Sequence, residues 1–125
     1  MLLMEEPYQL FNNQKTKIMN LPKVVADLID AQNHHDALAY AECFSMDAIV
    51  LDEGRTHKGQ EEIRSWIEKA NREYRTLLKP LKYEETGTVA FLTAEISGTF
   101  PGSPAILQYH FRLEDGLIQS LKITG

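Results

Sequence analysis

The spacing of apolar residues changes character once along this chain, and that change limits the folds open to it. Up to about residue 75 the apolar positions recur mostly at helical spacing; beyond it they alternate or run together, as in strands. Pro22 suits the first turn of a helix, with Asn20 as its cap, and Val24, Val25, Leu28, Ile29 and Gln32 continue one stripe over 21–33. Asn33-His34-His35 breaks the pattern. Asp36 can cap a second, short helix that closes at Phe44, with Leu38, Ala41 and Phe44 as its stripe. The run Asp47–Asp52 reads as a first strand. Gly59 then opens a third helix over about 60–75, striped by Ile63, Trp66, Ile67, Ala70 and Tyr74.

The remainder reads as sheet. A strand starts or edges at Pro80 and runs through Tyr83, and the Glu85-Thr-Gly87 stretch turns. Val89–Ser97 is apolar on both faces, as in a central strand. Gly98–Pro104 is a loop, and Ala105–Leu113 alternates. Asp115-Gly116 is a strong hairpin turn into a last strand, Leu117–Thr124. Helices gathered before a run of strands predict an α+β fold. The expected architecture is a curved antiparallel sheet wrapped around three helices, a cone-shaped α+β barrel with an internal cavity where a small ligand can bind. Residues 1–20 read as an N-terminal arm, and 21–125 as a single domain.

Length and charge narrow the function. The chain has 125 residues, 43% of them hydrophobic, which suits one domain with a real core. Its net charge of −5 comes without blocks of like charge, so a nucleic-acid partner and an anionic membrane surface are not expected. No segment approaches the roughly 20 apolar residues of a membrane span. The opening Met1-Leu-Leu-Met-Glu-Glu lacks the basic region of a signal peptide, and a cytoplasmic location is the simplest expectation. The lone Cys43 reads as a buried structural thiol. His34 and His35 are adjacent, so they point apart and cannot chelate as an i, i+4 pair; no metal and no cofactor are expected.

Chemistry centres on Asp52, which ends a mostly apolar strand. Such a carboxylate either meets water at the rim or sits at the mouth of an apolar cavity. In the second place its pKa rises and it can serve as a general base. Arg55 and His57 follow in a loop, either solvated or ready to bind an anionic group. Tyr109 shares the inward face of its strand with Phe111 and Leu113. It is either a structural tyrosine bonded to backbone or a donor to a ligand. Tyr40 lies one residue off its helix stripe and can reach the cavity mouth. Glu95, mid-strand, either lines the cavity or pairs across the sheet with His110 or Arg112. Those two share the polar face of their strand with Gln108, which suits solvent or a homodimer interface. Gly98–Pro104 joins strand to strand and lacks the lysine of a phosphate loop.

Three stretches carry a family resemblance: Asp36-Ala-Leu-Ala-Tyr-Ala-Glu-Cys-Phe-Ser-Met-Asp-Ala-Ile-Val-Leu-Asp52, Gly59-Gln-Glu-Glu-Ile-Arg-Ser-Trp66, and His110-Phe-Arg-Leu-Glu-Asp-Gly-Leu-Ile118. With the element order, they make residues 21–125 resemble the nuclear transport factor 2-like superfamily, in its SnoaL-like and ketosteroid-isomerase-like branch. The resemblance implies an apolar small molecule as ligand, pairing into homodimers, and a reaction that the fold does not specify. It puts the base of the isomerases at Asp52. Their tyrosine donor falls on Leu28, which cannot donate. Their protonated aspartic acid, a carboxylic acid held neutral, falls on Tyr109, which can donate from its hydroxyl. Trp66 matches an aromatic lining position, beside Phe111. Two readings follow: a binding domain for an apolar ligand, or an isomerase, cyclase or dehydratase using Asp52 as base and Tyr109 as donor.

Overall fold

The computed structural model describes residues 20–125; the expected arm therefore lies almost wholly outside the described residues. The element order is α1 (Lys23–Asn33), α2 (Ala37–Glu42), β1 (Phe44–Asp52), β2 (Arg55–Lys58), α3 (Gly59–Tyr74), β3 (Leu77–Thr86), β4 (Val89–Ser97), β5 (Ala105–Glu114) and β6 (Leu117–Thr124). The six strands form one sheet in the order β2-β1-β6-β5-β4-β3. Every neighbouring pair is antiparallel except β1–β6, which is parallel. The α+β class and the helices-then-sheet organisation are as expected, with that single parallel pairing added.

α1 forms because its apolar residues fall on one face, and Val24, Val25, Leu28, Ile29, Ala31 and Gln32 are all buried. Burying a side chain such as Leu28 contributes roughly 1.5–3 kcal/mol. Asn20 does not cap the helix; Pro22 holds the cap position and makes no side-chain cap bond, while Asn20 takes a left-handed φ of 56°. Asp36 does cap α2, accepting the Ala39 N–H at 3.0 Å. That helix stops at Glu42, earlier than its apolar spacing predicts. The Ile118 N–H donates to the Cys43 carbonyl at 2.9 Å and draws Phe44 into the sheet. The α2 face is consequently turned: Leu38 is 55% exposed while Tyr40 is 1% exposed. Tyr40 packs its ring on Phe44 at 5.6 Å and on Trp66 at 6.1 Å, and in so short a helix those contacts override the Leu38–Ala41 stripe.

The sheet also departs from the sequence pattern at its two edges. Arg55–Lys58, expected as loop, is the edge strand β2, joined to β1 through Glu53-Gly54 with φ values of 52° and 77°. Two left-handed residues in succession make the turn type that matches strand twist. A polar edge strand shows no apolar alternation, so its sequence reads as loop. The other edge, β3, is longer than expected, and Pro80 is absorbed where the register shifts between Pro80 and Lys82. In β4 only the helix-facing side is buried (Ala90, Leu92, Ala94, Ile96), while Val89 and Phe91 on the other side are 37% and 39% exposed.

The core lies between the helices and one sheet face; its fully buried side chains include Leu28, Tyr40, Phe44, Ile63, Leu92 and Phe111. Among the described residues no helix is long and apolar enough to cross a membrane.

Candidate functional site

Strand register places the candidate residues. Asp52 is the partner of Arg55 on β2 and of Ile123 on β6, Ile123 is the partner of Tyr109 on β5, and Tyr109 is the partner of Leu92 on β4. Directly opposed residues share a sheet face. Asp52, Ile123, Tyr109 and Leu92 therefore form one row on the face that meets the helices. Neighbouring strands lie about 4.8 Å apart, so Asp52 and Tyr109, with β6 between them, are separated by roughly 10 Å of backbone. Tyr109 is buried in the core and does not line the pocket that opens at Asp52.

At Asp52 the row opens into a pocket of about 460 Å³, lined by Asp52, Arg55, His57, Trp66, Lys69 and Tyr74 among others. Asp52 is half-buried here, where the strand leaves the core. Burial raises its carboxyl above the usual carboxylate value, the Glu53 charge adds to this, and a hydrogen bond from the Trp66 side chain works in the opposite direction. The Asp52 carboxyl is therefore more basic than a carboxylate in water. Trp66 forms the wall. It stacks on His57 at 5.2 Å and meets Tyr40 edge-on at 6.1 Å. Burial lowers the His57 pKa, opposed by Glu62 and assisted by Arg55, which favours a neutral imidazole near pH 7.

Behind Trp66 the chemistry is phenolic. Burial holds Tyr40 well above the usual tyrosine pKa, with the charges of Tyr109 and Asp52 adding to it. Tyr109 is likewise raised by burial, with the Gln32 side chain opposing and Asp52 adding. Both hydroxyls thus stay protonated and can act as donors. Tyr109 is 3% exposed and is not tied to backbone among the described hydrogen bonds. Gln32 approaches it from α1, and its amide nitrogen donates to Thr76 Oγ1 at 3.2 Å. The Tyr40 hydroxyl is buried without a hydrogen-bond partner among the described residues. Tyr40→Phe should consequently leave stability unchanged or raise it by up to about 1 kcal/mol. Calorimetry can check this; a clear loss of stability would show that the hydroxyl has a partner after all.

The structure thus brings Asp52, Trp66, His57 and Arg55 to one pocket and sets Tyr40 and Tyr109 behind it. Three expectations are corrected. Glu95 stands on the outer sheet face, opposite Lys79 and Ile106, because its strand parity sets it against the buried Ala94 and Ile96. It neither lines the pocket nor pairs with His110, whose ring bonds Thr124 Oγ1 at 3.0 Å. Leu28 and Phe111, 0% and 2% exposed, belong to the packed core and do not line the open pocket. Tyr40 is not at the mouth but inside. Sequence reasoning passed over Gln32, Asn71 and Thr76 as chemistry, although the first two sit at buried helical positions, where a polar residue is itself a signal.

Elsewhere, burial and then the Asp27 charge push the Cys43 thiol up to about 11, which suits a structural cysteine. A larger groove of about 830 Å³ lies at the opposite end of the molecule, against Lys23, Asp27, Asp30 and Glu114. Its walls carry the Lys23–Asp27 ion pair and carboxylates beside apolar Val24, Val89, Leu113 and Leu117. Among the described residues no group of three or more His, Cys, Asp or Glu side chains is arranged to hold a metal ion.

Comparison with known proteins agrees with this architecture. A protein from Sinorhizobium meliloti, assigned provisionally as a polyketide cyclase, shares 39% identity with a TM-score of 0.81, over 85% of this chain and 97% of its own. An NTF2-like protein of unknown function from Cytophaga hutchinsonii matches at a TM-score of 0.69 and 21% identity, over 81% of this chain and 85% of its own. SalBIII, an epoxide hydrolase/cyclase-like enzyme of pyran ring formation in salinomycin, matches at a TM-score of 0.71 and 20% identity, over 89% and 90%. The last two likenesses speak for the fold alone. The search of curated proteins finds no match. The SnoaL-like domain model matches residues 25–121, which run from within α1 into β6, and the chain belongs to the SnoaL-like domain family, with an NTF2-like fold.

Proposed function

We propose that the pocket at Asp52 binds a small, largely apolar molecule bearing a carbonyl group, and that Asp52 abstracts a proton from the carbon beside that carbonyl. The observation that carries this reading is the placement of a burial-raised carboxylate on the same inner-face row as a protonated phenol. A base of this kind and a hydrogen-bond donor for the oxygen are the two elements that enolisation needs.

Asp52 takes the proton from carbon, the C–H electron pair becomes the enolate double bond, and charge moves to the carbonyl oxygen. The Tyr109 hydroxyl, with Tyr40 near it, hydrogen-bonds that oxygen. If the enolate carbon then attacks a second carbonyl of the same molecule, a carbon–carbon bond closes a ring. The new alkoxide recovers the proton from Asp52. The provisional cyclase assignment of the Sinorhizobium protein supports this ring-closing version. Simple proton return to carbon would give isomerisation.

The test uses the first step alone. Benzylacetone is incubated with the protein in D₂O, and deuterium uptake beside the carbonyl is followed by NMR. Catalysed uptake that disappears in Asp52→Asn is expected. Uptake no faster than in buffer would reduce the pocket to binding only, a second reading favoured by Leu28 at the position where the isomerases carry a donor.

We also propose that the chain pairs with itself through the outer sheet face. Phe91, Ile106 and Leu51 on that face are 39%, 50% and 40% exposed, among the hydrogen-bonding groups of Gln108, His110 and Lys122. Sedimentation at micromolar concentration should show a species of twice the 14.3 kDa chain mass. A lone monomer would remove this assembly.

A further inference from the structure

Three of the four histidines in the chain are committed. The His34 ring donates to the Asp30 carbonyl at 2.8 Å, the His35 ring to the Thr76 carbonyl at 2.9 Å, and the His110 ring bonds Thr124 Oγ1 at 3.0 Å. Only His57 has no hydrogen-bond partner for its ring among the described residues. It is also the histidine that lines the pocket at Asp52.

Register fixes where that ring stands. Arg55 is opposite Asp52, and His57 is opposite Val50, further back along β1. Alternate residues share a face, so His57 stands on the inner face, diagonal to Asp52. Such diagonal neighbours lie about 7–8 Å apart, too far for a direct bond and far enough to place a small molecule between them. Trp66 holds both. Its side chain donates to Asp52, and its ring stacks on His57 at 5.2 Å.

Elimination leads to the same ring. Arg55, Lys69 and Tyr74 also bring donors to the pocket, but they are exposed, and water weakens a hydrogen bond made there. The Trp66 N–H is taken by Asp52. His57 is half-buried. Burial favours its neutral form, which keeps one N–H to donate and brings no positive charge that would make Asp52 a weaker base.

Ring closure has a need that enolisation does not. The second carbonyl must be polarised, and its oxygen carries the charge once the new bond forms. We propose that His57 is the catalytic donor to that second oxygen, facing Asp52 across the pocket. The enolate carbon bonds the second carbonyl carbon, and the π pair of that carbonyl moves to its oxygen. The His57 N–H holds the resulting alkoxide by a hydrogen bond and keeps its own proton. The proton that Asp52 took from carbon then passes to the alkoxide, giving a neutral aldol. The inference rests on the enolisation reading above and adds the residue that serves the second carbonyl.

The test gives the protein 2,6-heptanedione in D₂O. NMR follows deuterium uptake beside the carbonyls and formation of the ring-closed 3-hydroxy-3-methylcyclohexanone in the same sample. Wild-type protein should catalyse both. His57→Phe keeps an aromatic ring on Trp66 and removes the N–H. It should lower the ratio of ring closure to uptake by at least about 10²-fold, the usual worth of one such donor. His57→Gln offers an amide N–H in its place and should recover part of that ratio. If His57 only braces Trp66, both rates fall together and the ratio stays, which overturns the proposal. Wild-type uptake without ring closure also overturns it and leaves enolisation standing. No catalysed uptake overturns both.

Discussion

Asp52→Asn should abolish catalysed deuterium uptake, lowering the rate by at least about 10²-fold, without lowering the melting temperature. The asparagine keeps the shape of the side chain and removes the base, and a positioned base typically contributes about 10²–10⁴-fold. The stability half follows from the direction of the pKa shift. Burial raises the Asp52 carboxyl in the folded state, so between its unfolded and folded pKa values the native protein holds more protons than the unfolded chain. Stability then falls as pH rises through that window, and above it the folded protein bears the full cost of the desolvated charge. Asparagine carries no charge to desolvate. Above the usual carboxylate range the variant should match or exceed wild type in thermal stability, with a flatter dependence on pH. For the same reason wild-type activity should rise as pH climbs through the folded-state pKa of Asp52. A pair of melting curves and a pH–rate profile check both. A variant that loses both stability and activity would mark Asp52 as a structural carboxylate.

The largest loss of stability is expected at Phe44. This side chain is 0% exposed, opens β1 against Ile118 of β6, and carries the Tyr40 ring at 5.6 Å. Phe44→Ala removes the ring and leaves a cavity where α2, β1 and β6 meet. Changes of that type cost about 3–5 kcal/mol, a large share of the roughly 5–15 kcal/mol that holds a domain together. Because Tyr40 rests on Phe44 and Trp66 rests on Tyr40, the pocket wall should loosen too. Chemical denaturation should show the lower midpoint, and Trp66 fluorescence should shift. A loss below about 1 kcal/mol would mean that neighbouring side chains close the gap, and that the aromatic stack does not set the wall.

Phe44 also shows how far the sequence could be read. Its apolar character was plain, but helical spacing from Leu38 and Ala41 placed it on α2. A hydrogen bond from a residue 75 positions away in sequence, Ile118 N–H to Cys43 O, moved it into the sheet, and no local pattern contains that information. The same limit hid β2, whose Arg-Thr-His-Lys sequence has no apolar face. Only its pairing with β1 makes it a strand. By contrast α1, the Asp36 cap and the Asp115-Gly116 hairpin were legible, because cap chemistry, helical period and a turn dipeptide are local.

For the site, Asp52 and Trp66 were legible from the end of an apolar strand and from the family resemblance. Their partners were less so. Gln32 lay in the α1 stripe, and Asn71 follows Ile63 and Ile67 at intervals of four, so both were visible as polar residues at core positions. What they face depends on how α1 packs against β3 and α3 against β1 and β2, which the spacing does not contain. Glu95 failed for the opposite reason. Its strand was correctly placed, but whether an even or odd position faces the helices is decided by register across three strands.

Titration of Asp52 tests most directly whether its half-buried carboxylate stands against the Trp66 wall of the pocket and out of bulk water. Carbon-13 NMR of the labelled side-chain carboxyl, assigned by comparison with Asp52→Asn, gives the folded-state pKa without any substrate. A midpoint above the ordinary aspartate value of 3.8 is expected, displaced further when Trp66→Phe removes the bond that favours the charged form. A midpoint at or below 3.8, unmoved by Trp66→Phe, would place Asp52 in bulk water and contradict it.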